Sequence, residues 1–396
     1  MIEKKEIITI ANNLGLSPDT IEKDYVLGWL LWGIQQADFS ETWLFKGGTC
    51  LKKCYFETFR ISEDLDYTLT QHAHLSTDFL RAAFNNIADK IYEETGIDFF
   101  KEQFKFKVLP KENGKASAQG VIHYNGPLRR KQGATPSVAS IKLDLTTDEI
   151  IVLLSQKQRV QHSYSDKPAG GIWSTCYAFE ELIAEKTRAL AERARPRDLY
   201  DVIHFFRNRG MIKNTQLIVD VLKQKCGYKK IDVSTYATIK NHVKMDELHA
   251  QWHNMLSHQL PALPTPESFL VDLESFFQWI AGDLKEKHFV AQPPMNGEIF
   301  QPGRMTNSTL TDAVIYKIQF SAANRMCVEI DYNGKPRLVE PLSFRITNDG
   351  KKLFYGYERE ASQLTSFDLS KIQRAMIINI PYTEKEYPVE INAVMV

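Results

Sequence analysis

The 396-residue chain lacks an excess of charge of either sign, with 49 lysine and arginine residues against 49 aspartate and glutamate residues. This balance argues against a broad, sequence-independent nucleic-acid coat, so any RNA contact is expected to be local. No apolar run approaches the roughly 18 residues needed to cross a bilayer, and residues 1–6 contain no apolar signal region. The sequence therefore predicts a cytoplasmic protein without membrane contact.

Cysteine is also scarce, and its spacing is not that of a metal site. Cys50 and Cys54 lie four residues apart on a predicted helix, without a second pair of the kind that zinc-binding motifs have. Reduced and mostly buried thiols are therefore predicted for all five cysteines. They are Cys50, Cys54, Cys176, Cys226 and Cys327.

The length exceeds that of one ordinary core and favours two or three domains. Apolar and charged fractions of 43% and 25% are those of a soluble globular protein. Proline and glycine pairs interrupt the pattern between Lys285 and Asn307, which indicates a linker. The predicted division is a mixed-sheet core at 1–170, a helical domain at 171–287, a linker at 288–307 and a small β-rich domain at 308–396.

One stretch organises the rest of the chain. Trp43-Leu44-Phe45 is predicted as a short buried strand, Gly47-Gly48 as a turn and residues 49–56 as the helix that follows. A helix N-terminus offers unpaired amides and partial positive charge, to which Thr49 adds a hydroxyl. Asp64 and Asp66 then alternate along a predicted strand, so both carboxylates share one face. Two acids beside a phosphate site indicate Mg²⁺.

Three blocks in this order resemble the AbiEii/AbiGii family of nucleotidyltransferase toxins, within the DNA polymerase β-like superfamily. The blocks are Gly47-Gly48-Thr49 followed by Arg60-Ile61-Ser62-Glu63-Asp64-Leu65-Asp66, then Glu181 to Leu190, then Arg197-Asp198-Leu199-Tyr200-Asp201. The resemblance implies an α+β fold in which a mixed nucleotidyltransferase sheet is joined by a helical domain that completes the active site.

The resemblance also implies roles for individual residues. The glycine turn, Thr49 and Ser62 would hold an NTP, and Lys186 would contact its phosphates. Asp198 would either orient Lys186 or help to activate the attacking hydroxyl. The hairpin that carries these two residues also fits an ordinary salt-bridged pair of helices.

A third metal-binding carboxylate is expected on a strand next to the first pair. Asp144, in the predicted strand Ile141 to Leu145, has that setting, although a solvated strand acid fits the same pattern. Asp64, Asp66 and Asp144 are accordingly the predicted ligands of Mg²⁺, with Mn²⁺ as an alternative.

The implied function is a metal-dependent toxin of a toxin–antitoxin or phage abortive-infection system. It would transfer NMP from an NTP to an acceptor hydroxyl, with a tRNA 3′ end as the expected acceptor and a neighbouring antitoxin as its control. Two alternatives stay open. One is a ligand-responsive nucleic-acid-binding regulator on a non-catalytic nucleotidyltransferase scaffold, and the other is a small-molecule nucleotidyltransferase.

Two further stretches carry charge. Glu22-Lys23-Asp24-Tyr25 lies in a predicted amphipathic helix, where a solvated face over a packed helix is expected. Arg129-Arg130-Lys131 forms a local basic turn that fits either an RNA backbone contact or a solvated loop.

The last 90 residues or so contain a helix and several short strands separated by Asn-Gly and Asp-Gly turns. They resemble a WYL-type, Sm-like ligand-sensing domain, although Leu353-Phe354-Tyr355 stands where the name-giving tripeptide would be. Four residues are candidates for nucleotide or oligonucleotide binding, and the plain core and rim of a β-domain fit them equally. They are Arg337, Arg345, Tyr355 and Tyr357.

Overall fold

The computed structural model describes residues 1–56, 59–110, 114–128, 139–212, 214–285, 289, 295–302 and 310–392. The basic turn Arg129-Arg130-Lys131 and most of the predicted linker lie outside these residues. The described part contains a mixed sheet, a set of helices and a separate antiparallel sheet, so the predicted α+β class is confirmed.

The mixed sheet forms the first half of the fold. Its strands are β1 (Trp43–Lys46), β2 (Asp64–Leu69), β3 (Asp98–Phe99), β4 (Lys105–Pro110), β5 (Ala116–Asn125), β6 (Ser140–Thr146), β7 (Gln156–Val160) and β8 (Ile172–Cys176). The strand order is β3-β5-β6-β2-β1-β8-β7, with β4 paired to β5. The central strand β2 runs antiparallel to β1 and parallel to β6, while β1 runs parallel to β8.

Helices flank this sheet and follow it along the chain. They are α1 (Lys4–Leu14), α2 (Pro18–Gln35), α3 (Gly47–Cys50), α4 (Thr77–Thr95), α5 (Phe179–Arg193), α6 (Pro196–Arg207), α7 (Thr215–Lys229), α8 (Tyr236–Lys240), α9 (Met245–Leu256), α10 (Pro266–Leu270) and α11 (Leu273–Ala281). Helix α3 continues as a π-helical turn, Leu51–Tyr55. Ser17 caps α2 by accepting the Thr20 N–H at 3.1 Å, as the Ser-Pro-Asp start signal predicts. Within the described residues, none of these helices has both the length and the apolar character needed to cross a membrane.

The C-terminal part is a second, antiparallel sheet with one long helix against it. Its elements are β9 (Glu298–Ile299), α12 (Leu310–Ala323), β10 (Met326–Tyr332), β11 (Lys335–Ile346), β12 (Lys352–Glu358), β13 (Gln363–Asp368) and β14 (Ile372–Pro381). The order is β13-β12-β11-β10-β14, with β9 paired to β11. Strand β9 falls within the predicted linker, so this piece of it belongs to the second sheet.

The predicted start of the helical domain at residue 171 differs from the structure. Residues 172–176 form β8, which pairs with β1 in the mixed sheet, and the helix α5 begins only at Phe179. Ile172, Thr175 and Cys176 are buried. Pairing with β1 therefore makes residues 172–176 a strand, although the sequence pattern of the following helix gives no sign of a boundary there.

The expected solvated face at Glu22-Lys23-Asp24-Tyr25 is wrong, since Glu22, Asp24 and Tyr25 are buried. The Asp24 carboxylate lies 2.7 Å from the Lys53 ammonium and accepts the Tyr164 hydroxyl. Burial raises the pKa of Asp24, but the nearby lysines and these hydrogen bonds outweigh it and lower that pKa. Helix α2 is covered on all sides, and its acids are held by partners distant in sequence.

The candidate ligand residues of the second sheet are mostly engaged within it. Arg337 pairs with Glu358 at 2.7 Å, and Arg345 pairs with Glu390. Tyr355 is buried, and its hydroxyl accepts the Asn296 N–H at 3.0 Å. These contacts favour the interpretation of the set as core and rim of a β-domain.

Candidate active site

The turn between β1 and α3 brings backbone close to a carboxylate. Gly47 has φ +77°, a left-handed value that side chains other than hydrogen rarely adopt. A Cβ at this position would lie 2.2 Å from Asp66 Oδ2, and one at Gly48 would lie 2.7 Å from Arg60 Nη2. The glycines therefore let the turn contact Asp66 on one side and Arg60 on the other.

The N-terminus of α3 has no side-chain cap, so its first amides are available to an anion. The Thr49 hydroxyl is used differently from the prediction, because it is buried and donates to the Asp64 carbonyl oxygen. It holds the cradle to β2 instead of offering its proton to a phosphate. Ser62 is also buried, and its Oγ lies 2.9 Å from the position of a Cβ at Gly48.

Three predicted carboxylates meet on one face of the sheet. Asp64 and Asp66 are alternate residues of β2, and the parallel pairing of β2 with β6 places Asp144 directly beside Asp66. On the other side, the antiparallel pairing with β1 places Lys46 opposite Asp66. Gln119 of β5 lies beyond Asp144, with its Nε2 3.5 Å from Asp144 Oδ1.

The carboxylates repel one another. Burial raises the pKa of Asp66 to about 6, with Lys46 opposing the rise and Asp144 and Asp64 adding to it. Burial and the Asp64 charge likewise raise the pKa of Asp144. Among the described residues, the Asp66 carboxylate has no hydrogen-bond or ion-pair partner. A cation between these groups would relieve the repulsion.

Lys186 lies near this cluster and is held from below by α6. Its ammonium is 2.7 Å from Asp201 Oδ2 and 3.5 Å from Asp198 Oδ1. Its charge also lowers the pKa of Asp66, which places it within electrostatic reach of that carboxylate. The predicted helical lysine and the paired acids therefore share one cleft.

The two acids below Lys186 are fully buried and fully paired. Arg60 binds Asp201 through two parallel hydrogen bonds of 2.7 and 2.8 Å. Arg193 does the same for Asp198, at 2.7 and 2.9 Å. Burial raises the pKa of Asp201, but Arg60 and Lys186 outweigh it and lower that pKa. This geometry favours the orienting alternative for Asp198.

Sequence reasoning missed several residues of this site. Arg60 and Asp201 lie in the quoted blocks, and the i, i+3 spacing of Asp198 and Asp201 signals one face of α6. Lys46 pairs with Glu185 at 3.0 Å, and Glu185 also pairs with the buried Lys225 at 3.2 Å. No local pattern identifies these partners.

At the mouth of the cleft, Arg197 Nη1 lies 3.6 Å from Asp64 Oδ2. Burial and the charge of Arg60 lower the pKa of Arg197, while Asp64 opposes that effect. Lys23 pairs with Glu63 at 2.7 Å on the same rim. Two cations therefore lie on this rim, and Arg197 is the one beside a carboxylate of the site.

The donor set fits a hard divalent cation. Carboxylate oxygens are the ligands such ions take, and three carboxylates converge here, of which Asp66 and Asp144 have raised pKa values. The uncapped helix N-terminus beside them fits a phosphate chain. Together they can hold a metal–triphosphate pair and present it to a nucleophile.

Comparisons with known proteins identify a family for this chain. The family model described as nucleotidyl transferase AbiEii toxin, of type IV toxin–antitoxin systems, matches residues 29–281. Curated proteins give no match. The solved structure of MenT4, a nucleotidyltransferase toxin from Mycobacterium tuberculosis H37Rv, is similar at a TM-score of 0.42 and 18% identity, covering 69% of this chain and 89% of that chain. The family match spans more than half of the sequence, and the chain therefore belongs to the AbiEii family of nucleotidyltransferase toxins.

Proposed function

We propose that this nucleotidyltransferase transfers NMP from an NTP to an RNA hydroxyl in the cleft between β2 and the N-terminus of α3. The observation that carries the proposal is the contact between Gly47 and Asp66, since a Cβ at Gly47 would lie 2.2 Å from Asp66 Oδ2. Phosphate cradle and carboxylates thus form one site. A triphosphate on the α3 amides would place its α-phosphorus over the acids.

Asp64, Asp66 and Asp144 would hold Mg²⁺, or Mn²⁺ in its place. When bound, the metal would lower the pKa of the acceptor hydroxyl and offset charge on the pyrophosphate leaving group. The mutual repulsion of these carboxylates in the metal-free protein supports this assignment, because a cation stabilises all three ionised forms.

Lys186 would contact the nucleotide phosphates and offset negative charge that develops during transfer. Asp201 and Asp198 aim it upward from α6, while Arg60 and Arg193 hold those two acids. Such a fixed ammonium needs little reorganisation at the moment of reaction. In this proposal Asp198 is a positioning residue, since both of its oxygens are occupied by Arg193.

The proposed acceptor is a tRNA 3′ end in the cytoplasm, with growth arrest as the outcome and an antitoxin as the control. Membership in a toxin family of toxin–antitoxin systems supports the last two points. Lys142 and Arg197 flank the acids and give the local positive charge that one RNA end needs. The neutral chain as a whole fits an enzyme that holds only the end of its substrate.

The test is transfer of label from each of the four α-³²P-labelled NTPs to total RNA and to purified tRNA. Wild type is expected to label tRNA with Mg²⁺ or Mn²⁺, and Asp64→Asn is expected to abolish labelling. Asp98→Asn is the matched control, because Asp98 is exposed on the far edge of the same sheet. Absence of label with every NTP, or labelling that Asp64→Asn leaves intact, rejects the proposal.

We also propose that residues 308–396 form a WYL-like module that reports to the transferase. Helix α6 supports this, because it carries Asp198 and Asp201 at one end and Arg207 at the other. Arg207 donates to the Asn324 carbonyl at 2.8 Å, at the end of α12. Hydrogen–deuterium exchange with added nucleotides and RNA oligonucleotides should show protection in β10 to β14. Protection confined to residues 1–281 would contradict a sensing role.

A further inference from the structure

Three thiols lie behind the nucleotide cradle. Cys50 and Cys54 are one turn apart on the helix that begins at Gly47, and Cys176 is the last residue of β8. Their sulfur atoms all lie within 4.8 Å of one another, and those of Cys54 and Cys176 are 3.6 Å apart. All three residues are at most 2% exposed. The spacing of Cys50 and Cys54 alone does not predict a metal site, because the third thiol, Cys176, lies on a strand far away in the sequence.

A second polar group faces the same place. Phe45 of β1 pairs with Tyr67 on one side and with Cys176 on the other, so these residues share one face of the sheet. Tyr67 is buried, and its hydroxyl has no hydrogen-bond partner among the described residues. Burial raises the pKa of Tyr67, the three thiols raise it further and the nearby Ser174 opposes the rise, so the phenol lies within electrostatic reach of the thiols. A buried hydroxyl without a partner is costly.

The arrangement has the chemistry of a thiolate metal site. Zinc binds thiolate sulfur at about 2.3 Å with tetrahedral geometry, which corresponds to sulfur–sulfur separations of roughly 3.8 Å. The observed separations need only small side-chain adjustments to reach that value. Among soft ions, Zn²⁺ leaves one net negative charge on three thiolates, whereas Cu⁺ leaves two in a buried place.

We propose that Cys50, Cys54 and Cys176 bind a structural zinc ion, with the Tyr67 phenol oxygen as the fourth donor. Binding replaces three thiol protons, which pass to solvent, and involves no change of oxidation state. The ion would fasten the helix of the phosphate cradle to β8 from the face opposite the catalytic acids. It is a site of its own, because Asp64 and Asp66 point to the other face of β2.

The test uses the full chain, reduced and freed of metal with a chelator, and titrated with Co²⁺ as a probe for Zn²⁺. One equivalent should give the intense thiolate-to-cobalt charge-transfer absorption, and Zn²⁺ should displace it. Cys54→Ser and Cys176→Ser should lose the band. Cys226→Ser is the matched control, since Cys226 is also buried but lies on α7 outside the cluster. Asp66→Asn should keep the band, because carboxylates give no such absorption.

A measurement on the unmodified chain keeps the test decisive if a cysteine variant fails to fold. X-ray absorption at the zinc edge of the one-to-one complex should show three sulfur neighbours and one oxygen. A shell of only oxygen and nitrogen overturns the proposal, as does a band that Cys226→Ser loses as fully as Cys176→Ser. A Cys54–Cys176 disulfide in the purified protein, found by mass spectrometry without bound zinc, overturns it too.

Discussion

Two groups of buried or half-buried acids lie within one cleft, and they are treated in opposite ways. Asp198 and Asp201 on α6 are fully buried, and each accepts paired hydrogen bonds from an arginine. Asp66 on β2 has two acids for neighbours, and its pKa is raised to about 6. Both groups contain carboxylates a few residues apart, so composition does not separate them.

The difference teaches where a ligand belongs. The charge of a paired acid is already balanced by the arginine that binds it. Such an acid can position another side chain, here Lys186. An unpaired acid beside other acids stores repulsion that only an added cation removes. Selection for stability alone would remove such repulsion. Its presence therefore indicates that these acids serve to bind a ligand.

Replacing Asp66 with asparagine should have the largest effect on activity and the opposite effect on stability. Loss of the metal ligand is expected to cost about 4 kcal/mol of transition-state stabilisation, or roughly 1000-fold in transfer rate. In the metal-free protein the pKa of about 6 exceeds the ordinary 3.8, so the fold loses stability as pH rises from 3.8 to 6, and the full loss is present above pH 6. Asparagine should therefore raise the free energy of unfolding at pH 7.5 by up to about 3 kcal/mol.

Urea unfolding without metal and labelled-NTP transfer with Mg²⁺ measure these two effects. The comparison fails if Asp66→Asn lowers stability, because that would mean the carboxylate has favourable partners in the metal-free state.

Replacing Asp201 with asparagine should lower both quantities. Arg60 would remain buried without its carboxylate partner, keeping its bond to the neutral Gln259, and breaking such a pair costs about 3 kcal/mol. Lys186 would also lose its nearer partner, so transfer should fall while Mn²⁺ affinity stays unchanged. The matched control is Asp220→Asn, an exposed acid on α7. Normal stability of Asp201→Asn would show that this acid is not the anchor proposed for Lys186.

Replacing Gly47 with alanine should force the cradle away from Asp66. Left-handed backbone costs a residue with a Cβ about 1–2 kcal/mol, and the new carbon would also lie 2.2 Å from Asp66 Oδ2. Gly96→Ala is a matched control, since Gly96 has φ +74° and open space around its Cβ position. Both variants should lose similar stability from strain, and only Gly47→Ala should raise the KM for NTP. Equal KM values would separate the glycine turn from nucleotide binding.

A buried histidine sharpens the contrast between paired and unpaired groups. His204 lies on α6 against Phe56 and Phe59, and neither ring nitrogen has a described hydrogen-bond partner. Burial lowers its pKa from 6.5 to about 3, so the unfolded chain binds a proton first as pH falls. Its neutral form is fully compatible with folding above pH 6.5, and below that pH the fold loses about 1.4 kcal/mol per pH unit.

Between pH 6.5 and 5 the loss should reach about 2 kcal/mol, measured by urea unfolding at each pH. His204→Leu should remove this contribution and leave the equal one of His162, whose pKa burial also lowers to about 3, and His72→Leu, at an exposed position, should remove nothing. An unchanged slope in His204→Leu would assign the acid sensitivity to other groups.

The sequence supports prediction of the catalytic face better than of its supports. Period-two alternation predicts Asp64 and Asp66 on one face, and it depends only on neighbours along one strand. The expectation that Asp144 lies beside them comes from the family resemblance, and the register of β2 with β6 agrees with it.

The supports depend on residues far apart in the chain. Arg60 meets Asp201 across 141 positions, and Lys46 meets Glu185 across 139. Neither a hydrophobic period nor a cap signal encodes which acid a given lysine or arginine will reach. For the same reason the sequence does not predict β8, which is a strand because it pairs with β1. It also does not predict that Cys176, on β8, lies beside Cys50 and Cys54.

The smallest expected effect tests the boundary between the two groups of acids. Arg197 lies 3.6 Å from Asp64, and about a third of its side chain is exposed. It therefore balances only part of the charge of Asp64, one of the three acids proposed to bind metal. Exposed ion pairs contribute about 0.5 kcal/mol, and a cation that binds Asp64 must replace this arginine. Arg197→Gln should therefore raise Mn²⁺ affinity about twofold in the absence of nucleotide, measured by titration with electron paramagnetic resonance. Lys23→Gln, on the same rim but paired with Glu63, is the control that should leave affinity unchanged. Weaker Mn²⁺ binding in Arg197→Gln would mean that this arginine orders Asp64 for the metal and belongs with the positioning residues of α6.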